Sequence, residues 1–398
     1  MFSPLDDIRV LDLTASLAGP YATLILGALG ADVVKVEHPE RGDDTRAWGP
    51  PFWDGESATY LAANASKRSF AVDLKAPEGL EAILRVAERS DVVVQNLRPG
   101  LAERLGLGFE AVRSRNPRVV YCSIGAFGKD GPLREHPGYD PLMQAAGGIM
   151  SVTGEAGRPP ARAGVSVVDQ GTGMWAVIAI LAALRARDQG ADAQLVDLSL
   201  FETAVNWLPY QLAGYLGSGA VPRPMGTALG IISPYQAFEA RDRWIMVAAG
   251  NDRQFASLAE ALGLPELAGD PRFRTNPDRV ANRAELSELI QERFRLEDAS
   301  TWLDRLFGAG VPAAPVQDLS EVAAYEQTAA MELLQALPHP SVEDLHLVRL
   351  PLTANGERAS HRTPPPALGA HSAAVLRDAG YTDEAIQQLQ SAGVIRTG

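Results

Sequence analysis

The sequence has a single cysteine, Cys122, and only six scattered histidines. One cysteine excludes an intrachain disulfide, and the absence of any clustered Cys and His residues predicts that no metal ion is held. Cys122 lies in the apolar run Val119–Ser123, which indicates a thiol packed inside a strand and not a nucleophile. Sparse cysteine is typical of a reducing compartment, so we expect a cytoplasmic protein.

The sequence also lacks an excess of basic residues, because 36 Lys and Arg stand against 49 Asp and Glu, for a net charge of −13. This charge disfavours nucleic acids and anionic membranes as partners. The longest apolar run, Met174–Leu184, is shorter than the ~18 residues of a membrane span. The first residues have neither the basic nor the apolar region of a secretory signal, so we expect none.

Strand and helix patterns alternate over about the first 200 residues. Helices are predicted at Pro20–Leu29 and Pro77–Arg89, and a buried one at Met174–Leu184. Strands are predicted at Ile8–Leu13, Asp32–Val36, Phe70–Leu74, Asp91–Gln95, Val119–Ser123 and Ala193–Ser199. Such alternation favours an α/β fold with a large Rossmann-like parallel-sheet domain.

We expect this large domain to span residues 1–215 and to be completed by a C-terminal return, 330–398, which is rich in Pro and Gly. A smaller α+β domain is predicted over 225–325. It would contain a hairpin, Tyr235–Phe238 with Trp244–Ala248, and then helices near 252–263, 280–295 and 299–308.

The first strand–helix–strand unit ends in Glu37, where a dinucleotide-binding fold places its ribose-binding acid. The turn after the first strand, Thr14–Pro20, has one glycine where the phosphate-binding fingerprint needs three. Pro20 also removes an N–H that would face a pyrophosphate. The sequence therefore predicts the sheet topology without nicotinamide binding.

The stretch Gly164–Gly173 carries the most chemical information. It is an apolar run that ends on Asp169, and a glycine turn follows before the buried helix. Asp169 would thus lie at a helix N-terminus, where an anion is stabilised. From these residues alone two interpretations stay open: Asp169 caps the helix, or it is a nucleophilic carboxylate kept ionised in a pocket.

Several motifs in order resemble the class III CoA-transferases, the formyl-CoA transferase and carnitine CoA-transferase family. The resemblance covers essentially the whole chain. The motifs are Val10–Thr14, Ala18–Pro20, Leu29–Glu37, Gly42–Arg46, Lys67–Ser69, Asp91–Asn96, Pro99–Gly100, Arg104–Gly106, Gly138–Asp140, Pro234–Phe238, Gly310–Pro312 and Leu368–Gly369.

This resemblance implies that Asp169 is the catalytic nucleophile, that coenzyme A enters as an acyl-CoA substrate, and that two subunits interlock as a homodimer. Asp169 would form an acyl anhydride and then a thioester with CoA. Backbone N–H groups of Gly171 and Gly173 are candidates to stabilise the oxyanions of these steps. Carboxylic acids would be the other small-molecule partners.

The family also contains acyl-CoA racemases, whose histidine falls where this chain has Tyr139. A phenol is no imidazole base, so transfer is favoured over racemisation. The tetraglycine loop of the formyl-CoA branch is absent, and its active-site glutamine is replaced by Leu17. The segments Gly226–Gln236 and Ala249–Phe255 instead resemble enzymes that use succinyl-CoA and a dicarboxylate such as glutarate, itaconate, citramalate or mesaconate.

Three alternatives remain open: intramolecular CoA transfer on mesaconyl-CoA, racemisation of a 2-methylacyl-CoA, and CoA binding without turnover. By resemblance, the CoA-binding residues are Glu37, His38, Leu74, Lys75, Asn96, Leu97, Arg98 and Arg104. The substrate candidates are Arg46, His136, Tyr139 and Thr227. For His136, a loop residue without a catalytic role is an equal possibility.

Overall fold

The computed structural model describes residues 2–398, which form two compact units. The first unit contains the described residues up to Ile149 together with Ala163–Ala213 and Gln327–Gly398. The second contains Met150–Arg162 and Gly214–Glu326. The segment 150–162, which the sequence analysis placed in the large domain, thus joins the second unit, where the Gly226 N–H donates to the Gly154 carbonyl at 2.7 Å.

The strands are β1 (Arg9–Leu13), β2 (Asp32–Glu37), β3 (Phe52–Trp53), β4 (Glu56–Ser57), β5 (Lys67–Val72), β6 (Val92–Gln95), β7 (Val120–Gly125), β8 (Gln194–Ser199), β9 (Tyr235–Glu239), β10 (Trp244–Ala248), β11 (Ala313–Pro315), β12 (Leu334–Ala336), β13 (His346–Val348), β14 (Thr353–Ala354), β15 (Glu357–Arg358) and β16 (Ile395–Arg396).

The helices are α1 (Ala18–Ala28), α2 (Ala58–Ala63), α3 (Pro77–Ala87), α4 (Leu101–Arg104), α5 (Phe109–Arg115), α6 (Asp140–Ala146), α7 (Ile149–Val152), α8 (Val167–Asp188), α9 (Leu200–Asn206), α10 (Pro209–Ser218), α11 (Asp252–Ala261), α12 (Asn276–Ala281), α13 (Arg283–Phe294), α14 (Ala299–Gly308), α15 (Leu319–Ala324), α16 (Glu326–Ala330), α17 (Ser372–Asp378) and α18 (Asp383–Ser391). Short 3-10 helices lie at Asp44–Ala47 and Pro265–Ala268.

A seven-stranded sheet with the order β16-β5-β2-β1-β6-β7-β8 forms the centre of the first unit. All neighbours pair in parallel except β16, which is antiparallel to β5 and places Ile395 opposite Val72. This confirms the predicted α/β class with a large parallel sheet. The chain leaves β1 toward β2 and β5 on one side and later builds β6, β7 and β8 on the other. The topological switch point therefore lies between β1 and β6, where such sheets bind ligands.

The inner strands β1, β2, β5 and β6 are buried on both faces because helices cover them, whereas the edge strand β8 is partly exposed. Leu11 in β1 lies opposite Val34 and Val93, and all three are buried in the main apolar cluster. Helix α3 packs Ile83 into the same cluster, and the C-terminal return adds Leu376 from α17. Burying a side chain of this size contributes about 1.5–3 kcal/mol, so the return is held to the sheet largely by apolar packing.

Helix α8 has 22 residues and begins at Val167, before the glycines that were predicted to form a turn. It is the one helix of the described residues that is long and apolar enough to cross a membrane by length and composition alone, a property that core helices of soluble proteins share. Half of its most apolar window is buried inside the protein. It packs along α1, whose Ala18 and Tyr21 contact Gly173 so closely that a Cβ there would lie 2.8 Å from the Ala18 carbonyl oxygen.

In the second unit, β9 and β10 form the predicted hairpin, and β11 pairs with β10 to complete a three-stranded antiparallel sheet. Helices α11, α13 and α14 match the three predicted helical segments. Their aromatic residues form the core, with Phe294 stacked on Phe238 at 5.2 Å and in edge contact with Trp302 at 5.3 Å. The Trp302 indole N–H donates to the Phe294 carbonyl, which satisfies its one polar group.

Candidate active site

Asp169 lies in the first turn of α8, three residues after the N-cap residue Ser166. Ser166 makes no side-chain hydrogen bond to the helix, and the first residue of α6, Asp140, takes that role. Asp140 Oδ2 accepts the N–H of Val168 at 2.8 Å and that of Asp169 at 3.2 Å. Asp169 therefore does not cap α8, because a carboxylate from another helix already satisfies the exposed N–H groups.

The two carboxyl groups have different surroundings. Asp140 is buried, and its Oδ1 accepts a further bond from Gln144 Nε2 at 2.6 Å, so three N–H groups point at this carboxylate. Hydrogen bonds of this kind stabilise an anion. Within the described part of the chain, no group donates a hydrogen bond to the carboxyl oxygens of Asp169. Asp140 is thus a carboxylate held in place by hydrogen bonds, and Asp169 is a neighbouring carboxyl group that accepts none.

Burial, and then the charge of Asp140, raise the pKa of Asp169 from 3.8 to about 7. Both effects disfavour the ionised form, and they outweigh the helix N-terminus, whose N–H groups are directed at Asp140. A carboxyl group with a pKa near neutrality is a common feature of active sites.

Gly171 and Gly173 lie inside α8, so their N–H groups take part in the helical hydrogen bonds and do not form an oxyanion-binding turn. Their lack of a side chain serves packing instead. A Cβ on Gly171 would lie 2.7 Å from the ring of Trp207, whose indole N–H donates to the Val167 carbonyl at 3.3 Å. These contacts fix the turn that carries Asp169 from two sides.

A buried network of charges built on β1, β2 and β5 holds the loop 14–20, which leads into α1. Lys67 Nζ donates to Asp12 Oδ2 at 3.2 Å and to the Pro20 carbonyl at 2.9 Å. Lys35 Nζ donates to Asp43 Oδ2 at 2.7 Å and to the Thr14 carbonyl at 3.1 Å. This network was not predicted from the sequence, although charged residues inside apolar strands were a signal that could have revealed it.

Burial raises the pKa of Asp12, but the charges of Lys67 and Lys35 lower it more, to about 2. Burial lowers the pKa of Lys67 to about 8 against the opposing effect of Asp12. The ions lie out of water and are matched by partners at hydrogen-bond distance, which is the condition for tolerating buried charge. The network therefore fixes the loop that leads into α1.

Glu37 and Arg46, predicted to bind CoA and substrate, respectively, bind each other. Arg46 Nε and Nη2 donate to the two Glu37 oxygens at 2.7 and 2.9 Å. Arg46 also donates to the Pro366 carbonyl, and its guanidinium stacks on Tyr60 at 3.7 Å from the ring centre. Glu37 additionally accepts the hydroxyl proton of Ser69 at 2.7 Å. In this arrangement, both side chains serve the fold and anchor the C-terminal return.

Asn96, the next predicted CoA residue, lies at the switch point after β6. Its Oδ1 accepts the Ala15 N–H at 2.9 Å, and its Nδ2 donates to the Ala15 carbonyl at 2.8 Å. This pair of bonds ties the end of β6 to the loop after β1. Asn96 is thus a structural link at the place where a nucleotide is expected, and its amide is already occupied.

Leu97 and Arg98 follow Asn96 and line a cavity of about 680 Å³ at the carboxyl ends of β6, β7 and β8. Lys129 and Arg134 also line it, but they lie 3.6 Å from Asp197 and 3.2 Å from Glu135. The remaining acidic lining residues are Glu103, Asp130 and Glu202. Acids outnumber bases here, and Arg98 is the cation in this lining for which no carboxylate of the described chain lies within ion-pair distance.

The other predicted CoA residues lie apart from this cavity lining. His38 accepts the Glu40 N–H through Nδ1 at 3.2 Å. Leu74 packs at the edge of the main apolar cluster, and Lys75 and Arg104 are exposed. The structure thus places Leu97 and Arg98 in one cavity, and it leaves Lys75 and Arg104 exposed and His38 half-buried outside that lining.

Of the substrate candidates, Tyr139 is the one beside Asp140 in sequence and forms the N-cap of α6, with its ring 56% exposed. His136 is exposed and lies edge-on to Phe127, a residue of the large cavity, at 6.4 Å. Thr227 belongs to the second unit, where its hydroxyl accepts the Ala237 N–H at 2.9 Å. Among residues 2–398, no group of three His, Cys, Asp or Glu side chains is arranged to hold a metal ion.

The sequence matches the profile of CoA-transferase family III over residues 5–372. The chain belongs to this family. As a CoA-transferase of family III it is an enzyme, and acyl-CoA is the substrate that such enzymes share.

Relatives that match nearly the whole of this CoA-transferase support the assignment. Succinyl-CoA:glutarate CoA-transferase of Homo sapiens is 40% identical over 98% of this chain and 90% of its own length. Succinate–glutarate CoA-transferase of Agrobacterium fabrum is 40% identical over 94% and 95%, respectively. A crystal structure of a CAIB/BAIF family protein from Brucella suis superposes with a TM-score of 0.85 at 39% identity, over 95% of this chain and all of that one.

Proposed function

We propose that this CoA-transferase moves CoA from succinyl-CoA to a short dicarboxylic acid, with glutarate as the first acceptor to test. The observation that carries the mechanism is Asp169, a partly buried carboxyl group without hydrogen-bond donors, fixed on a capped helix terminus. The choice of acids rests on the two relatives that are named for succinate and glutarate at 40% identity.

The reaction would proceed through Asp169 in four steps. Its carboxylate attacks the thioester carbon of succinyl-CoA, which forms a succinyl–aspartyl anhydride and releases CoA thiolate. The thiolate then attacks the aspartyl carbonyl, which frees succinate and leaves a thioester of CoA on Asp169. A glutarate carboxylate attacks this thioester and forms a glutaryl–aspartyl anhydride with loss of the thiolate. Attack of the thiolate on the glutaryl carbonyl releases glutaryl-CoA and restores Asp169.

Asp169 must be ionised for the first step, and its pKa of about 7 leaves roughly half of it ionised at neutral pH. A carboxylate of this basicity is a better nucleophile than an ordinary aspartate. It has no hydrogen bonds to break before it attacks. The same desolvation that raises its pKa therefore favours the reaction.

The CoA nucleotide would bind at the cavity lined by Leu97 and Arg98, at the carboxyl edge of the sheet. Arg98 has no carboxylate partner and is free to pair with a phosphate. Lys75 and Arg104 are exposed and His38 is half-buried, and all three remain candidates for the outer part of the nucleotide, with Leu74 near Lys75. Glu37 and Asn96 would act indirectly, by fixing the loops that carry this edge.

The proposal includes a homodimer whose subunits interlock. Its support is a row of large apolar side chains on one face of α8 that remain exposed in the single chain: Met174, Trp175, Ile178 and Leu181. The four residues follow a helical repeat and form one stripe, which is typical of a surface that a partner covers. A second copy of this chain is the partner that the proposal names.

The test is a mass-spectrometric assay of the purified protein with succinyl-CoA and, in separate reactions, glutarate, itaconate, mesaconate, citramalate and carnitine. Hydroxylamine added during turnover would trap an activated Asp169 as the hydroxamate. We expect a new dicarboxyl-CoA ester and a hydroxamate on Asp169, and neither with Asp169→Asn. Succinyl-CoA left intact in every reaction, with Asp169 unmodified, would refute the proposal.

A further inference from the structure

The second unit contains a cavity of its own, of about 530 Å³. Half of its lining is apolar: Ala156, Pro224, Met225, Ala228, Ala281 and Ala284. Its polar side chains are Glu155, Thr227, Gln236, Arg283 and Ser287. A concave site with an apolar wall and a few polar groups is the usual form of a small-molecule site.

Arg283, the first residue of α13, is the cation of this cavity. Its Nη2 donates to the carbonyl oxygens of Leu229, Gly230 and Ile232 at 2.9–3.0 Å. Its Nη1 is buried and has no hydrogen-bond partner within residues 2–398, and no carboxylate of these residues forms an ion pair with it. Burial lowers the pKa of Arg283. Because no carboxylate of the described residues offsets the charge of Arg283, an anion that enters the cavity would be stabilised by that charge.

The neighbouring polar groups are also donors. Gln236 Oε1 accepts from Ser287 Oγ at 3.3 Å, so its amide N–H groups are left to donate. The Thr227 hydroxyl accepts from the Ala237 N–H and keeps its own proton for another acceptor. Glu155 is the one carboxylate of the lining; its side chain is mostly exposed and lies 4.0 Å from Arg158. Solvent and this pairing screen its charge.

We infer that this cavity binds a carboxylate group of a short aliphatic dicarboxylic acid. Arg283 supplies the charge, Gln236 and Thr227 supply neutral hydrogen bonds, and the alanine-rich wall receives the methylene chain. The identity of the acid rests on the proposed function, whose donor and acceptor are both derived from short dicarboxylic acids. The existence of an anion site follows from the cavity itself.

The test compares KM for glutarate with KM for butyrate, a monocarboxylic acid of similar size, in the full-length enzyme. Arg283→Gln removes the cation, and Gln236→Glu places a negative charge in the cavity while the bonds from Arg283 to the loop carbonyls stay intact. We expect each variant to raise KM for glutarate by about tenfold or more, the effect of one charge-assisted hydrogen bond, and to leave KM for butyrate within about twofold. Arg283→Lys should restore part of the loss.

Glu155→Gln is the matched control, since it changes a charge of the same lining without removing a donor, and it should leave KM for glutarate equal or lower. The inference is refuted if Gln236→Glu has the Tm of the wild type and changes the KM for neither glutarate nor butyrate. It is also refuted if, in both Gln236→Glu and Arg283→Gln, KM rises equally for the two acids. A wild-type enzyme that transfers CoA to neither acid would instead contradict the proposed function. Calorimetry with glutarate then decides: binding that Arg283→Gln abolishes supports the site, and no heat up to about 10 mM refutes it.

Discussion

The strongest prediction concerns the charge on Asp140. Asp140→Asn keeps an oxygen for the N–H groups of Val168 and Asp169 but removes the negative charge beside the Asp169 carboxyl. Burial is the larger cause of the rise in the Asp169 pKa from 3.8 to about 7, and Asp140 is the second. The charge thus accounts for less than half of about three pKa units, and we expect its removal to lower the Asp169 pKa by about one unit.

The sign follows from the ionisation of the nucleophile. A lower pKa increases the ionised fraction of Asp169 at pH 6, so the acid limb of kcat/KM for succinyl-CoA should move about one pH unit lower. The measurement is kcat/KM from pH 5 to 9, with hydroxamate trapping at each pH to confirm that Asp169 reacts. An acid limb at the same pH in Asp140→Asn and wild type would refute the reasoning.

Stability must be followed in the same variants. In Asp140→Asn, the new amide nitrogen would face Gln144 Nε2, which donates to Asp140 Oδ1 at 2.6 Å in the wild type. Two donors cannot bond each other, so one buried hydrogen bond is lost at a cost of about 1–2 kcal/mol. Asp140→Ala removes the cap as well and should cost more. A limb that moves only in Asp140→Ala would show that loosening of α8, and not the charge, is responsible.

Three further predictions concern stability. Asp169→Asn should raise Tm at pH 8 but not at pH 4. The pKa of Asp169 is raised in the folded state, so its ionisation lowers the free energy of unfolding as pH rises from 3.8 through about 7, by up to about 4 kcal/mol. Lys67→Met, which strands the buried Asp12 carboxylate, should lower the free energy of unfolding by about 3–5 kcal/mol in urea titrations, against less than about 1 kcal/mol for Arg85→Met in an exposed pair. Gly173→Ala should lower both Tm and activity, because its new Cβ would contact the backbone of α1. Gly171→Ala should lower Tm less, because its Cβ would contact the partly exposed ring of Trp207, which can shift.

The sequence was enough to predict the parallel sheet and the order of its elements, because apolar runs of four to six residues alternate with amphipathic helices. It placed the start of α8 too late, at Met174 and not Val167. Glycine is a poor helix former, so Gly171 and Gly173 indicated a turn. The helix nevertheless continues through them. These two helical positions lack side chains because Trp207 and Ala18 occupy the space that side chains would fill. Such tertiary contacts are invisible in a local pattern.

The candidate site was predicted in its residue types more than in its contacts. Arg46 and Glu37 were each considered for a ligand, since a charged side chain in a motif suggests recognition. The fold pairs them instead, across nine residues of sequence, and the pair also contacts Pro366 more than 300 residues away. A partner so distant in sequence leaves no periodic signal. The buried partners Asp12 and Lys67 are 55 residues apart in sequence, and in their case charged residues inside apolar strands were an available signal.

The different roles of Asp140 and Asp169 follow from the hydrogen-bond donors around each carboxyl group. They do not follow from the distance of either group from α8. Asp140 has three N–H partners, each of which stabilises its charge. Asp169 has none, so burial and the neighbouring charge act on it without opposition and raise its pKa to about 7. Two carboxyl groups in such different surroundings can have different roles in one site. One positions the helix, and the other is left basic, unpaired and available to attack a thioester.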